Sequence, residues 1–186
     1  MKACNGLSTE VWVVDNASSD GSASMIKEKY PSVHLIESDE NLGFSKANNL
    51  AIKKSNSQYV LLLNPDTIIE ENTLKDCFTF MESHKDCGAM GVKMLDGSGQ
   101  FLPESKRALP TPRTAFFKMS GFARLFPKSE YFSKYHLSYL DKEKTHEIDV
   151  LSGAFMFIRK EALDKSGLLD ERFFMYGEDI DLSYRI

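Results

Sequence analysis

The chain has 186 residues, 42% of them hydrophobic and 27% charged, with a formal net charge of −4. This size suits one globular domain with a sizeable core, and the acidic balance argues against a nucleic-acid partner, which would need a strong basic field. No apolar run approaches the roughly 20 residues that span a bilayer, and no signal peptide is visible. We therefore expect a cytoplasmic protein whose three cysteines are free thiols.

Strands and helices alternate along the first hundred residues. Short apolar runs predict strands at 10–14, 33–37, 59–63 and 89–94, and helix-forming segments lie between them at 22–30, 45–54 and 74–83. This alternation predicts βαβ units, a mainly parallel sheet flanked by helices and hence an α/β fold. In such sheets ligands bind at the carboxyl ends of the strands.

The remaining chain changes character twice. Residues 104–136 hold seven Lys or Arg against two Glu, together with many aromatics, and form a basic aromatic insertion with weak periodicity. A strand, a glycine turn and a second strand are predicted over 148–158, followed by a short helix at 161–166. The end of the chain predicts the start of a helix, on which Glu178 and Asp181 share a face and Asp181 pairs with Arg185.

Two of the predicted strands run into acidic turns. Asp15 opens the first turn, where a carboxylate can accept hydrogen bonds from a pyrimidine or a ribose, and the helix that follows favours anions. Asp66 ends the third strand and is a suitable ligand for a hard divalent cation. The alternatives are an ordinary helix-capping turn at 15–22 and a Pro-Asp turn at 64–66. If both turns lie on one rim of the sheet, both carboxylates can reach one ligand.

Two further segments carry polar groups suited to a site. Glu178 and Asp179 follow an aromatic stretch, where partial burial would raise a carboxyl pKa and suit it to general-base catalysis. Gly43 permits close backbone approach, and Asn41 and Asn48 can bond to a phosphate or a base. A solvated helix start and a turn with a helix cap are the respective alternatives. The scattered histidines give no zinc spacing.

These segments, in this order, resemble the family 2 glycosyltransferases, and especially their bacterial rhamnosyltransferase-like branch. Each motif is weak alone, but the ordered set is specific and the likeness covers nearly the whole chain. The motif that ends at Asp66 begins with Asn64 where many members have Asp, which removes one charge. The segments that match are 13–22, 41–49, 62–67 and 173–182.

The resemblance implies a GT-A fold and an inverting, metal-dependent transfer of sugar from a nucleoside-diphosphate donor. It implies Mg²⁺ or Mn²⁺ at Asp66, Asp179 as the general base and Glu178 as its neighbour. The donor would be a dTDP- or UDP-sugar and the acceptor a saccharide or lipid-linked sugar, in surface polysaccharide synthesis. The implied nucleotide-binding residues are Asp15, Asn16, Ser18, Asp20, Asn41, Gly43 and Asn48.

Within one domain we therefore expect a nucleotide-sugar-binding half at 1–100, the insertion at 101–147 and an acceptor-side segment at 148–186. The insertion would dock a lipid-diphosphate acceptor or an anionic membrane at the inner face, or else be a solvated acceptor loop. Family members extend beyond both ends of this sequence, so we expect a shortened chain with weak activity and a free sheet edge that invites self-association. A nucleotide-binding fragment without catalysis and a sugar nucleotidyltransferase remain alternatives.

Overall fold

A computed structural model describes residues 2–186 and shows an α/β arrangement. Short 3₁₀ turns lie at Lys2–Cys4, Pro103–Ser105 and Lys134–His136. The strands are β1 (Trp12–Asn16), β2 (His34–Ser38), β3 (Tyr59–Leu63), β4 (Ala89–Met90) and β5 (Phe155–Arg159). The helices are α1 (Ser22–Lys29), α2 (Gly43–Lys54), α3 (Thr73–Ser83), α4 (Pro112–Met119), α5 (Phe122–Leu125), α6 (Lys160–Ser166) and α7 (Glu178–Arg185).

The strands form two hydrogen-bonded groups. Strands β1 and β2 pair in parallel, with Trp12 opposite His34, which confirms the first predicted βαβ unit. Strand β5 lies between β3 and β4 and runs antiparallel to both. The chain enters β5 from the long insertion instead of from a crossover helix, so the right-handed crossover that produces parallel neighbours does not apply to it.

Most element boundaries lie within two residues of those predicted, and β3 has the predicted bounds. The strand predicted at 89–94 ends at Met90, because the chain then leaves the sheet for a turn closed by a bridge between Leu95 and Phe101. The first strand predicted within 148–158 is reduced to a single bridge between Val150 and Arg107. Among residues 2–186, neither 91–94 nor 148–151 pairs with an extended partner strand.

The core is built around β5, whose five residues are all buried. Successive side chains of a strand point to opposite faces, so Met156 and Ile158 pack with Leu62 on one side, while Phe155 and Phe157 pack with α3 on the other. Helix α7 contributes Leu182 to the first cluster. The packing therefore fixes α7 and its acidic first turn relative to the central strands. Within residues 2–186, no helix has both the length and the apolar character needed to span a membrane.

Candidate active site

The turn after β1 is held by its own acidic residue. Asp15 is buried, and one carboxylate oxygen accepts a hydrogen bond from the Ser18 amide at 3.1 Å. Ala17 has a φ of 64°, a left-handed conformation that is unusual for a residue other than glycine and often occurs at functional sites. Asp20 is exposed and accepts bonds from the amide and hydroxyl of Ser22, which lower its carboxyl pKa.

The Asn16 side chain connects this turn to the start of α2. Its amide nitrogen donates to Asn41 Oδ1 at 2.9 Å and to the Gly43 carbonyl at 3.3 Å. Its amide oxygen accepts from the Leu42 backbone at 2.8 Å. Three residues predicted for nucleotide binding, Asn16, Asn41 and Gly43, thus lie in one hydrogen-bonded group.

The start of α2 in turn contacts the loop that precedes the acidic pair. The Phe44 amide donates to the Phe174 carbonyl at 2.7 Å. Gly43 has a φ of 76°, and a Cβ there would lie 2.7 Å from Phe174 Cδ2 and would also clash with the Phe174 carbonyl oxygen. Only glycine permits this approach. The Asp15 turn and the segment before Glu178 are therefore linked through a single contact region.

Asn48 and its neighbour Asn49 are used differently. The Asn48 side chain donates to the Phe44 carbonyl of its own helix at 2.9 Å. Asn49 is buried, and its amide group donates to the Leu169 carbonyl at 2.8 Å and accepts from the Leu169 amide at 3.2 Å. This role of Asn49 is not predicted from the sequence. The available signal is the helical spacing of Asn49 with Ile52, which places Asn49 on the core-facing side of α2.

Asp66 lies in an exposed turn after β3. The turn is stabilised by the Thr67 hydroxyl, which donates to the Asn64 carbonyl at 2.6 Å. In the part of the chain that the structure describes, no protein group donates to the Asp66 carboxylate, and no group of three or more His, Cys, Asp and Glu forms a metal-binding cluster. A single free carboxylate fits Mg²⁺ or Mn²⁺ of the kind that takes its remaining ligands from phosphate and water.

The acidic pair opens α7, directly after Gly177, whose φ is 96°. Glu178 is buried, its Oε2 atom has no hydrogen-bond partner among residues 2–186, and this burial raises the pKa of its carboxyl group. Asp179 accepts from the Gly153 amide at 3.4 Å and the Ile180 amide at 2.8 Å. The two adjacent acids therefore lie in different surroundings, since Glu178 is buried while Asp179 accepts hydrogen bonds from two backbone amides.

Arg107 completes the surroundings of Asp179. Its guanidinium forms an ion pair with Asp179, and the side chains are only 17% and 15% exposed. It also donates to the Leu151 carbonyl at 3.2 Å. The sequence pattern places Arg107 in the basic insertion and predicts no role for it, since nothing in the local sequence indicates a partner 72 residues away.

The far end of α7 is anchored as predicted. Arg185 donates to Asp181 at 2.7 and 2.9 Å and also to the carbonyls of Ser166 and Leu168.

By contrast, the loop before α7 exposes Phe174, Met175 and Tyr176, and Tyr176 has a φ of 70°. This arrangement gives an acidic pair on a fixed helix beside apolar side chains that are open to a ligand.

A separate groove of about 1150 Å³ lies between α3, β4 and the loop at 141–149. None of the residues that we predicted for the site lines it. The groove is therefore distinct from the polar region described above.

Comparison with known families gives a match over nearly the whole chain. Residues 2–167 match the model described as glycosyl transferase family 2. The low-salt glycan biosynthesis hexosyltransferase Agl10 of Haloferax volcanii is 30% identical over 95% of this chain and 52% of its own length. The N-acetylglucosaminyl-diphospho-decaprenol L-rhamnosyltransferase of Mycobacterium tuberculosis is 26% identical over 95% of this chain and 60% of its own. The chain thus spans between half and three fifths of these relatives.

Two solved structures show the same fold. TarS 1–349 of S. aureus gives a TM-score of 0.59 at 21% identity, covering 95% of this chain and 45% of its own. The mannosyltransferase PcManGT from Pyrobaculum calidifontis, solved with GDP-Man and Mn²⁺, gives 0.60 at 19% identity, covering 94% of this chain and 41% of its own. These likenesses confirm the expected GT-A fold.

Proposed function

Because the chain belongs to glycosyltransferase family 2, we propose that it carries the donor-binding and catalytic part of an inverting glycosyltransferase. The enzyme would move a sugar from a nucleoside-diphosphate donor to a saccharide or lipid-linked acceptor during surface polysaccharide synthesis. The mycobacterial relative is named for rhamnosyl transfer to a diphospho-decaprenol-linked sugar, which supports a lipid-linked acceptor. The donor in this proposal is a dTDP- or UDP-sugar.

The observation that best supports this proposal is the contact between the two halves of the candidate site. Asn16 bonds to Gly43 at the start of α2, and Phe44 bonds to Phe174 just before the acidic pair. A transferase needs its donor pocket and its base at a fixed separation, because productive geometry contributes much of the rate. The bonds from Asn16 to Gly43 and from Phe44 to Phe174 would hold the donor pocket and the base at such a fixed separation.

We assign donor binding to the first half of the site. The exposed polar side chains of Ser18 and Asp20 border the turn, while the buried Asp15 carboxylate has one oxygen left to accept from a base or ribose. Asn16, Asn41 and Gly43 shape the pocket wall, and the bond from Asn48 to Phe44 supports the start of α2.

We assign the metal site to Asp66, which would hold Mg²⁺ or Mn²⁺ together with the donor diphosphate and water. Such a cation, when bound, offsets negative charge that develops on the leaving nucleoside diphosphate. PcManGT was solved with Mn²⁺ and a nucleotide sugar, which supports a divalent ion in this fold.

We assign proton removal to Asp179. The acceptor hydroxyl must lose its proton as its oxygen attacks the anomeric carbon from the face opposite the diphosphate, and this single displacement inverts the centre. Pairing with Arg107 keeps the Asp179 carboxylate oriented before the acceptor binds. The buried Glu178 adjoins this carboxylate and is its neighbour in the site.

The test is release of nucleoside diphosphate from UDP-, dTDP- and GDP-sugars in the presence of candidate acceptors, with Mn²⁺, with Mg²⁺ and with a chelator. We expect one donor to be used, chelation to abolish turnover, and Asp179→Asn to lower kcat by at least about a hundredfold. Asp66→Ala should weaken metal-dependent nucleotide binding by calorimetry, and Asp15→Ala should weaken nucleotide binding with or without metal.

Asp76→Asn is the matched control, because Asp76 is an exposed carboxylate on α3, outside the site. It should leave binding and turnover unchanged. Nucleotide binding without transfer would favour a binding fragment, and release of pyrophosphate from a nucleoside triphosphate would favour a nucleotidyltransferase. Failure of a folded sample to bind any of the three nucleotides would overturn the proposal.

A further inference from the structure

Helices α4 and α5 expose an apolar surface that the candidate active site does not use. Met119 is 87% exposed, Leu125 71% and Phe116 59%. Clustered exposure of large apolar side chains is unusual on a water-facing surface and marks a contact site. The α4–α5 patch comprises the exposed side chains Phe116, Met119, Phe122, Leu125, Phe126 and Tyr131.

The patch rests on an ordered aromatic base. The Phe132 ring lies 5.0 Å from the Phe117 ring, 5.8 Å from that of Phe122 and 5.2 Å from that of Phe126, measured between centroids. Gly121, with a φ of 81°, turns the chain between the two helices so that they share this base. Ring contacts therefore join Phe122 and Phe126 through Phe132, and Met119 and Leu125 are exposed on the same two helices.

Positive charge surrounds the patch. Residues 111–134 contain five Lys or Arg and one Glu, in a chain whose net charge is −4. The guanidinium of Arg113 lies 5.2 Å from the centre of the Tyr131 ring, which places a cation at the edge of the patch. Four of these basic side chains are exposed and form no ion pair with any carboxylate among residues 2–186: Arg113, Lys118, Arg124 and Lys128.

We propose that the α4–α5 patch docks on a bilayer surface that contains anionic lipids. Its apolar side chains would enter the boundary between headgroups and acyl chains, and its cations would meet lipid phosphates. An anionic bilayer accounts for both the exposed apolar side chains and the positive charge around them. A second copy of the chain would bring like charges together, and a soluble polyanion would leave Met119 and Leu125 in water. The proposal depends on the surface alone and does not require the catalytic assignment.

The experiment is co-sedimentation of the full chain with phosphatidylcholine vesicles, with and without phosphatidylglycerol. We expect partitioning onto the anionic vesicles only, and weaker partitioning as salt is added. The triple variant R113E/K118E/R124E should lose partitioning by roughly a hundredfold, since each cation near an anionic surface contributes about fivefold. M119S/L125S should also lose partitioning while keeping its charge.

Matched controls separate this surface from net charge and from general hydrophobicity. K29E/K54E/K75E changes the net charge equally, at exposed lysines outside the patch that form no ion pair with any carboxylate among residues 2–186. I68S removes an apolar side chain elsewhere that is 99% exposed. Both should partition like the unaltered chain. Three results would overturn the proposal: no binding to anionic vesicles, equal binding by the reversal variant, or a dimer in solution that M119S/L125S abolishes without any vesicle binding.

Discussion

Arg107 and Asp179 form a largely buried ion pair that joins the basic insertion to the first turn of α7. Arg107 also shares a backbone bridge with Val150, donating to and accepting from it. The pair therefore does two things: it holds the insertion against α7, and it fixes the carboxylate that we assign to proton removal. Loss of one partner leaves the other charge buried without compensation.

Replacement of Arg107 by Gln should lower the free energy of unfolding by about 2–4 kcal/mol, because it leaves the Asp179 carboxylate without its cation. Turnover should fall as well, and Arg107→Lys should restore part of both, since it keeps the charge but loses the planar guanidinium. Chemical denaturation of R107Q, of D179N and of the double variant R107Q/D179N measures the coupling energy between Arg107 and Asp179, which we expect to be about 1–3 kcal/mol.

The exposed pair of Arg172 with Asp170 provides the control. Its arginine side chain is 89% exposed, so Arg172→Gln should change stability by no more than about 1 kcal/mol. Equal effects at Arg107 and Arg172, or strictly additive effects of R107Q and D179N, would show that the buried pair has no special role.

Glu178 should make stability depend on pH. Burial raises its carboxyl pKa above the ordinary value of 4.5, so the folded state holds this proton to higher pH than the unfolded state does. The contribution of Glu178 to stability is therefore greatest below pH 4.5 and falls as pH rises through the folded pKa. The stability of the unaltered chain relative to Glu178→Gln should decrease as pH rises from 4.5 through the folded pKa. Denaturation at a series of pH values measures this difference.

Glu161 is the matched control for this titration. Its pKa is lowered, chiefly by the hydrogen bond from Lys165, so its contribution is present above the unfolded pKa and is lost as pH falls. The stability of the unaltered chain relative to Glu161→Gln should therefore increase as pH rises, which is the opposite of the trend for Glu178→Gln. If the Glu178→Gln difference does not vary with pH, the carboxyl group is not perturbed by burial.

The parts of the molecule that could be predicted from sequence are those with local causes. Apolar runs bounded by turn residues indicate β1, β2 and β3, and the residue order predicts the parallel unit β1–α1–β2. The polar turn at Asp15 and the acidic pair were also found as patterns, because their residues are neighbours in the chain. Their assigned catalytic and binding roles stay predictions.

What could not be predicted depends on distant partners. Arg107 bonds to a residue 72 positions away, and Asn49 to one 120 positions away. The direction of β5 depends on how a long insertion returns to the sheet, which no local pattern encodes. The link between Gly43 and Phe174 also joins two motifs that the sequence shows only separately.

Asn49 tests how strongly one such distant contact stabilises the fold. Asn49→Ala would leave the buried amide and carbonyl of Leu169 without their partners, so we expect a loss of about 2–4 kcal/mol in the free energy of unfolding. Asn48→Ala removes only a bond within α2 and should cost less than about 1 kcal/mol. Similar losses for the two variants in chemical denaturation would argue against Asn49 as the residue that holds α2 to the segment at 169–171.

Gly43 tests the contact that joins the two halves of the site. Gly43→Ala should destabilise the chain by about 2–4 kcal/mol, because it combines a left-handed backbone with a clash against Phe174. If the Phe174 loop moves away to relieve the clash, nucleotide binding and turnover should fall even at temperatures where the variant stays folded. Gly97→Ala is the control, since a Cβ there meets no atom within 4 Å and its φ is not in the left-handed region. Wild-type stability and turnover in Gly43→Ala would show that α2 and the loop before α7 need not touch for the protein to act.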